Sequence, residues 1–180
     1  MTSKKPGPGG PPQKFPSNSP SELKGETPKI FIALGANIPS VVGPPEATLK
    51  AALAALEERG VKVLALSPFH QTQAWPDPAD PPFTNAVAEI ETQLQPFALL
   101  GLLHEVETEF GRKRSAPNAP RTLDLDLLDY QGRVENDEVE LPHPRMAFRR
   151  FVLEPLAEIA PDWRHPVTAQ TVATLLRALR

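Results

Sequence analysis

"PRTLDLDLLDY" occupies Pro120–Tyr130. Leucines and aspartates alternate through its middle, at the two-residue period of a β-strand. In a strand, Asp124 and Asp126 project from one face, and Leu123, Leu125 and Leu127 from the other. An unpaired carboxylate is costly to bury. Two on one face repel each other unless a cation lies between them. Oxygen donors of this kind suit Mg²⁺, which commonly uses one or two carboxylates together with substrate phosphates. An edge strand with a solvated acidic face has the same letters, so this D-x-D alone leaves both readings open.

The flanks add positive charge. Arg112, Lys113, Arg114 and Arg121 precede the aspartates, and His143, Arg145, Arg149 and Arg150 follow in "LPHPRMAFRR". Either cluster alone reads as a solvated loop. Both together, around a carboxylate pair, suit a polyphosphate: metal on some oxygens, guanidinium on others.

Working outward, "KIFIALGAN" (Lys29–Asn37) predicts a buried strand ending at a glycine turn. In "PEATLKAALAALEERG", Leu49, Ala52, Leu53 and Leu56 share a helical face, and Gly60 ends the helix. Val61–Thr72 predicts one strand, "QAWPDPADPPF" a proline-rich loop, and Phe83–Leu94 a further strand. Pro96 opens a second helix with Leu99, Leu103, Val106 and Phe110 on its face, closed by Gly111. The basic loop and the strand of the opening stretch follow. "LPHPRMAFRRF" predicts a loop or short helix, and "VLEPLAEIAP" and "TAQTVATLLRALR" two short helices. The order βαββαβ predicts an α+β, ferredoxin-like domain with a mainly antiparallel sheet, helices packed on it, and short C-terminal helices.

Composition bounds the function. The chain has 180 residues, enough for one domain, and 40% are hydrophobic. Residues 1–28 hold seven prolines and four glycines with few large apolar side chains, which predicts a disordered tail before a domain at 29–180. The net charge is −3, and the tail carries +2 of its own, so the domain is acidic. That disfavours nucleic acid and anionic membranes as partners. No cysteine is present, which excludes disulfides and thiolate metal sites and fits a reducing compartment. A cytoplasmic monomer is expected. No P-loop, G-x-S-x-G or H-E-x-x-H motif occurs. Neither His70 nor His104 stands at metal-ligand spacing from another donor.

"FIALGAN", "FTNAVAEIET", "EVETEFGRKR", "APRTLDLDLLDY" and "LPHPRMAFRRFVLEPLAEIAP" occur here in order. In sequence and spacing they resemble the 6-hydroxymethyl-7,8-dihydropterin pyrophosphokinases of folate biosynthesis, over about residues 29–180. The resemblance implies transfer of the β,γ-pyrophosphate of ATP to the pterin hydroxymethyl group, leaving AMP. It implies two Mg²⁺ ions on Asp124 and Asp126, and Arg112 and Arg121 as catalytic phosphate clamps. Arg112, Arg114, His143 and Arg149 match ATP-binding positions. Asn85, Phe83 and Phe151 match the pterin site, where Phe151 stacks on the ring, Arg121 reaches the substrate, and the backbone around Thr72–Trp75 reads the pterin edge. Asn37 and Glu107 match supporting positions. Two residues depart from the pattern: Asn118 stands where the family often carries tryptophan, and His104 replaces a polar amide position. Two other functions compete. A nucleotidyltransferase also uses paired aspartates and Mg²⁺ but releases pyrophosphate. An RNA-binding module on the same fold calls for aromatic side chains on the sheet face and basic charge.

Overall fold

The computed structural model describes residues 28–74, 77–112 and 119–179. The expected tail up to residue 27, Trp75, Arg114 and Asn118 lie outside them.

Seven strands and four α-helices are formed by the described residues. They are β1 (Ile30–Ala36), α1 (Pro45–Glu57), β2 (Lys62–Leu66), β3 (His70–Thr72), β4 (Phe83–Glu91), α2 (Pro96–Glu109), β5 (Asp124–Tyr130), β6 (Glu135–Asn136), β7 (Glu140–Leu141), α3 (Arg150–Ile159) and α4 (Val172–Ala178). A 3-10 turn, Met146–Phe148, leads into α3. The main sheet runs β2-β4-β1-β5, with β3 also on β4, and every pairing in it is antiparallel. This is the ferredoxin-like arrangement that the βαββαβ order predicts.

Both long helices form where their apolar spacing predicts. α1 starts on Pro45 and buries Leu49, Ala52, Leu53 and Leu56. α2 starts on Pro96 and buries Leu99, Leu103 and Val106. Gly60 and Gly111 follow the two helices at φ +81° and +82°, a left-handed conformation that costs glycine little. The two helices cover one sheet face, over Ile30, Ile32, Leu34, Ile90, Leu125 and Leu127. α3 and α4 cover part of the other face, over Phe31, Val87 and Leu128. The candidate site lies on the rest of that second face, which the described residues leave open.

The single strand expected over Val61–Thr72 is two strands. Ser67–Phe69 interrupts it, because Pro68 has no N–H to give a ladder. Ser67 keeps the segment on β4: its N–H donates to the Val87 carbonyl at 3.0 Å, and its Oγ accepts the Val87 N–H at 3.0 Å. The small β6–β7 hairpin was not foreseen; its two-residue strands are too short to carry a period.

The β1–β5 register slips once. Phe31 faces Asp129 and Ile32 faces Leu127, so Leu128 is the extra residue of a bulge. The bulge brings Asp129 to the second face, where it is buried. Its Oδ2 accepts the Trp163 Nε1–H at 2.7 Å and its Oδ1 the Gly132 N–H at 2.9 Å. Burial pushes the Asp129 carboxyl above its ordinary range, against these hydrogen bonds.

Candidate active site

Period two on β5 sets the site's centre. Asp124 and Asp126 stand on the open face, with Leu125 and Leu127 in the core behind them. A shallow pocket beside them is lined by Ala33, Gly35, Asn85, Asp124, Asp126 and Phe151. Gly35 keeps it open: a Cβ there would meet Asn85 Oδ1 at 3.0 Å and approach Asp124 and Phe83.

Each aspartate has its own cations. Arg112 Nη1 lies 2.6 Å from Asp124 Oδ1, and Arg121 Nη1 lies 3.0 Å from Asp124 Oδ2. Arg149 Nη1 lies 3.1 Å from Asp126 Oδ2, and His143 Nε2 lies 3.7 Å from the same oxygen, too far for a hydrogen bond. Arg112 and Arg121 of the first basic cluster and His143 and Arg149 of the second thus meet at one carboxylate pair, split between its members, whereas Arg150 pairs with Glu154 at 2.7 Å. The Leu141–Pro142 peptide is cis, and the His143 N–H donates to the Leu128 carbonyl at 2.8 Å, which fastens this loop to β5. Burial holds the His143 imidazolium below its ordinary pKa; Asp126 opposes this, and Arg149 and Arg145 add to it.

Glu107 supports the first pair. It is 2% exposed, on the α2 face that also buries Leu103 and Val106. Its Oε1 accepts the Leu125 N–H at 2.7 Å, between the two aspartates, and pairs with Arg112 Nη1. Burial pushes its pKa up to about 7, against the Leu125 N–H and Arg112. A charge on an apolar helical stripe was the signal in the sequence for this role.

A polar and aromatic side completes the site. Asn85, on β4, is buried and donates to Thr72 Oγ1 at 2.7 Å. Phe83 begins the same strand. Phe151, in the first turn of α3, is partly exposed, with the Arg149 guanidinium 5.5 Å from its ring centroid. A flat ring that is polar at its edge needs such faces and such an amide. His70 lies outside this cluster: it pairs with Glu158 at 3.0 Å and ties β3 to α3.

The family model for 7,8-dihydro-6-hydroxymethylpterin-pyrophosphokinase matches residues 31–161. The chain belongs to this family. A 2-amino-4-hydroxy-6-hydroxymethyldihydropteridine pyrophosphokinase of Synechocystis sp. is 38% identical over 160 residues, 88% of this chain and 80% of that protein. One of Bacillus subtilis is 42% identical over 133 residues, 72% of this chain and 76% of its own. The folic acid synthesis protein fol1 of Pneumocystis carinii is 35% identical over 166 residues, 89% of this chain but 22% of that longer protein. This pyrophosphokinase transfers the pyrophosphate of ATP to 6-hydroxymethyl-7,8-dihydropterin in folate biosynthesis. Among the described residues no helix is long and apolar enough to cross a membrane.

Proposed function

We propose that the open face of β5 is where this transfer occurs, with Asp124 and Asp126 as the metal ligands. The observation that carries the reading is the carboxylate pair with Arg112 and Arg121 at one member and Arg149 and the His143 imidazole at the other. The donor set fits Mg²⁺ brought in with ATP. Among the described residues no group of three or more acidic, His or Cys side chains gathers into a metal cage. A pair of carboxylates leaves coordination positions for phosphate oxygens. Two Mg²⁺ ions are assigned to the pair; when bound they neutralise phosphate charge and hold the polyphosphate in line.

The chain's own groups do the rest. Arg112, His143 and Arg149 bind the ATP phosphates, with Arg114 from the basic loop. Arg121 reaches both the phosphates and the pterin. Thr72, Phe83, Asn85 and Phe151 hold the pterin, with the backbone at Trp75. In the reaction the hydroxymethyl oxygen bonds to the β-phosphorus. The bond from that phosphorus to the α,β-bridging oxygen breaks, AMP leaves, and the hydroxyl proton is released. Phosphoryl-type transfer needs alignment and charge neutralisation more than covalent chemistry, which agrees with a site that is a frame of fixed charges. His143 is held largely neutral by its surroundings, so it serves as a hydrogen-bonding group rather than a fixed cation.

A cytoplasmic monomer is proposed; the absence of cysteine fits a reducing compartment. The test is AMP formation from ATP with Mg²⁺, with and without 6-hydroxymethyl-7,8-dihydropterin. AMP formed only with the pterin supports the reading. Pyrophosphate released in place of AMP would sink it.

A further inference from the structure

We propose that Asn37 is a positioning residue that holds the pterin side of the site in register with its phosphate side. The proposal rests on the functional reading above and adds a residue that touches neither substrate.

Asn37 follows the last residue of β1 and is 3% exposed. Its side-chain amide joins two loops that are far apart in sequence. Oδ1 accepts the Arg121 N–H at 2.7 Å, and Nδ2 donates to the Pro81 carbonyl at 3.2 Å. The backbone closes the first link from the other direction, with the Asn37 N–H donating to the Arg121 carbonyl at 3.1 Å. The Pro81 loop runs directly into Phe83 and Asn85. The Arg121 loop runs directly into Asp124, to which Arg121 is itself paired.

The chemistry selects the residue. The Arg121 loop offers a donor and the Pro81 loop an acceptor, so the linker needs an acceptor and a donor on one short, rigid group. Aspartate retains only the acceptor, and alanine retains neither. A lost link leaves each half-site on its own strand and able to bind its own ligand. What is lost is the distance between the hydroxymethyl oxygen and the β-phosphorus. A misplacement of about 1 Å at reacting atoms costs roughly 10²-fold in rate.

The experiment compares Asn37→Asp and Asn37→Ala with the unaltered enzyme. It measures kcat and, separately, the Kd for the pterin and for Mg²⁺ with a non-hydrolysable ATP analogue. The expected result is kcat lowered about tenfold in Asn37→Asp and about 10²-fold in Asn37→Ala, with each Kd within about threefold of the unaltered enzyme. Unchanged kcat in either folded variant overturns the proposal. So does a loss confined to the two affinities, the mark of general loosening. A measurement on the unaltered protein stands whether or not Asn37→Ala folds: the pterin alone should shift the Thr122 amide resonance, in the Arg121 loop but not placed on the substrate, and Asn37→Asp should abolish that shift. No shift in the unaltered protein overturns the inference. If the unaltered enzyme binds neither ligand, the functional reading fails with it; if it binds both and the variants behave as it does, only the inference fails.

Discussion

The Glu107 carboxylate accepts the Leu125 N–H at 2.7 Å, on the peptide that separates Asp124 from Asp126. One buried acid on α2 thereby fixes the strand that carries both aspartates and the arginine that pairs with the first. Burial raises its pKa from 4.5 to about 7. A raised carboxyl pKa favours the folded state most below the unfolded value, and that contribution fades as pH rises through the folded value. The protein should lose up to about 3 kcal/mol of stability between pH 4.5 and 7 from this group alone. Urea unfolding across that window should show a flatter profile for Glu107→Gln. Parallel profiles for the two proteins would refute the assignment.

Asp124→Asn and Asp126→Asn should each lower Mg²⁺-dependent turnover by at least about 10²-fold, because each removes one of two charges offered to the metal. The fold should survive, since both side chains are partly exposed and lie outside the core. Circular dichroism checks the fold and AMP release the activity. Near-normal turnover in either variant would remove that residue from the metal site.

Arg112→Ala and Arg121→Ala should slow the chemical step more than they weaken pterin binding. Both arginines pair with Asp124, one of the two proposed metal ligands, so their loss falls first on the phosphate side. Single-turnover rates should fall by about 10²-fold, with a much smaller change in pterin Kd. An effect seen only in pterin affinity counts against the phosphate assignment.

Metal and nucleotide should bind cooperatively. The aspartates are already engaged by arginines, so Mg²⁺ alone must displace guanidinium groups that then lack a partner. Phosphate oxygens supply that partner, and the exchange balances only when both ligands arrive. Calorimetry should find Mg²⁺ binding much tighter with a non-hydrolysable ATP analogue present, and pterin binding tighter again once both are bound. Added salt should weaken this coupling. Equal affinities with and without the analogue would rule the exchange out.

Asp129→Ala should destabilise the protein by roughly 1–3 kcal/mol, because it leaves the Trp163 Nε1–H and the Gly132 N–H unpaired in a buried place. Relief of a buried charge offsets part of this, so Asp129→Asn should lose less. Turnover per folded molecule should stay within about twofold, since Asp129 lies apart from the site. Denaturant midpoints check the order of the three proteins.

Sequence alone determined the parts of this protein that depend on local period and end signals. Alternation over Leu123–Leu127 put two carboxylates on one strand face and three leucines on the other. Apolar spacing set the buried faces of α1 and α2, and Gly60 and Gly111 marked their ends, because one turn of backbone decides each. The motifs from Phe31 to Pro161 carried the family. Tertiary structure alone decided which cation serves which aspartate, since Arg112 and Arg121 reach Asp124 while Arg149 crosses 23 residues to Asp126. It also decided the bulge at Leu128 that buries Asp129, and the Asn37 link spanning 84 residues to Arg121. These are set by the register of β1 against β4 and β5. Register is a property of paired strands, and no single stretch of the chain contains it.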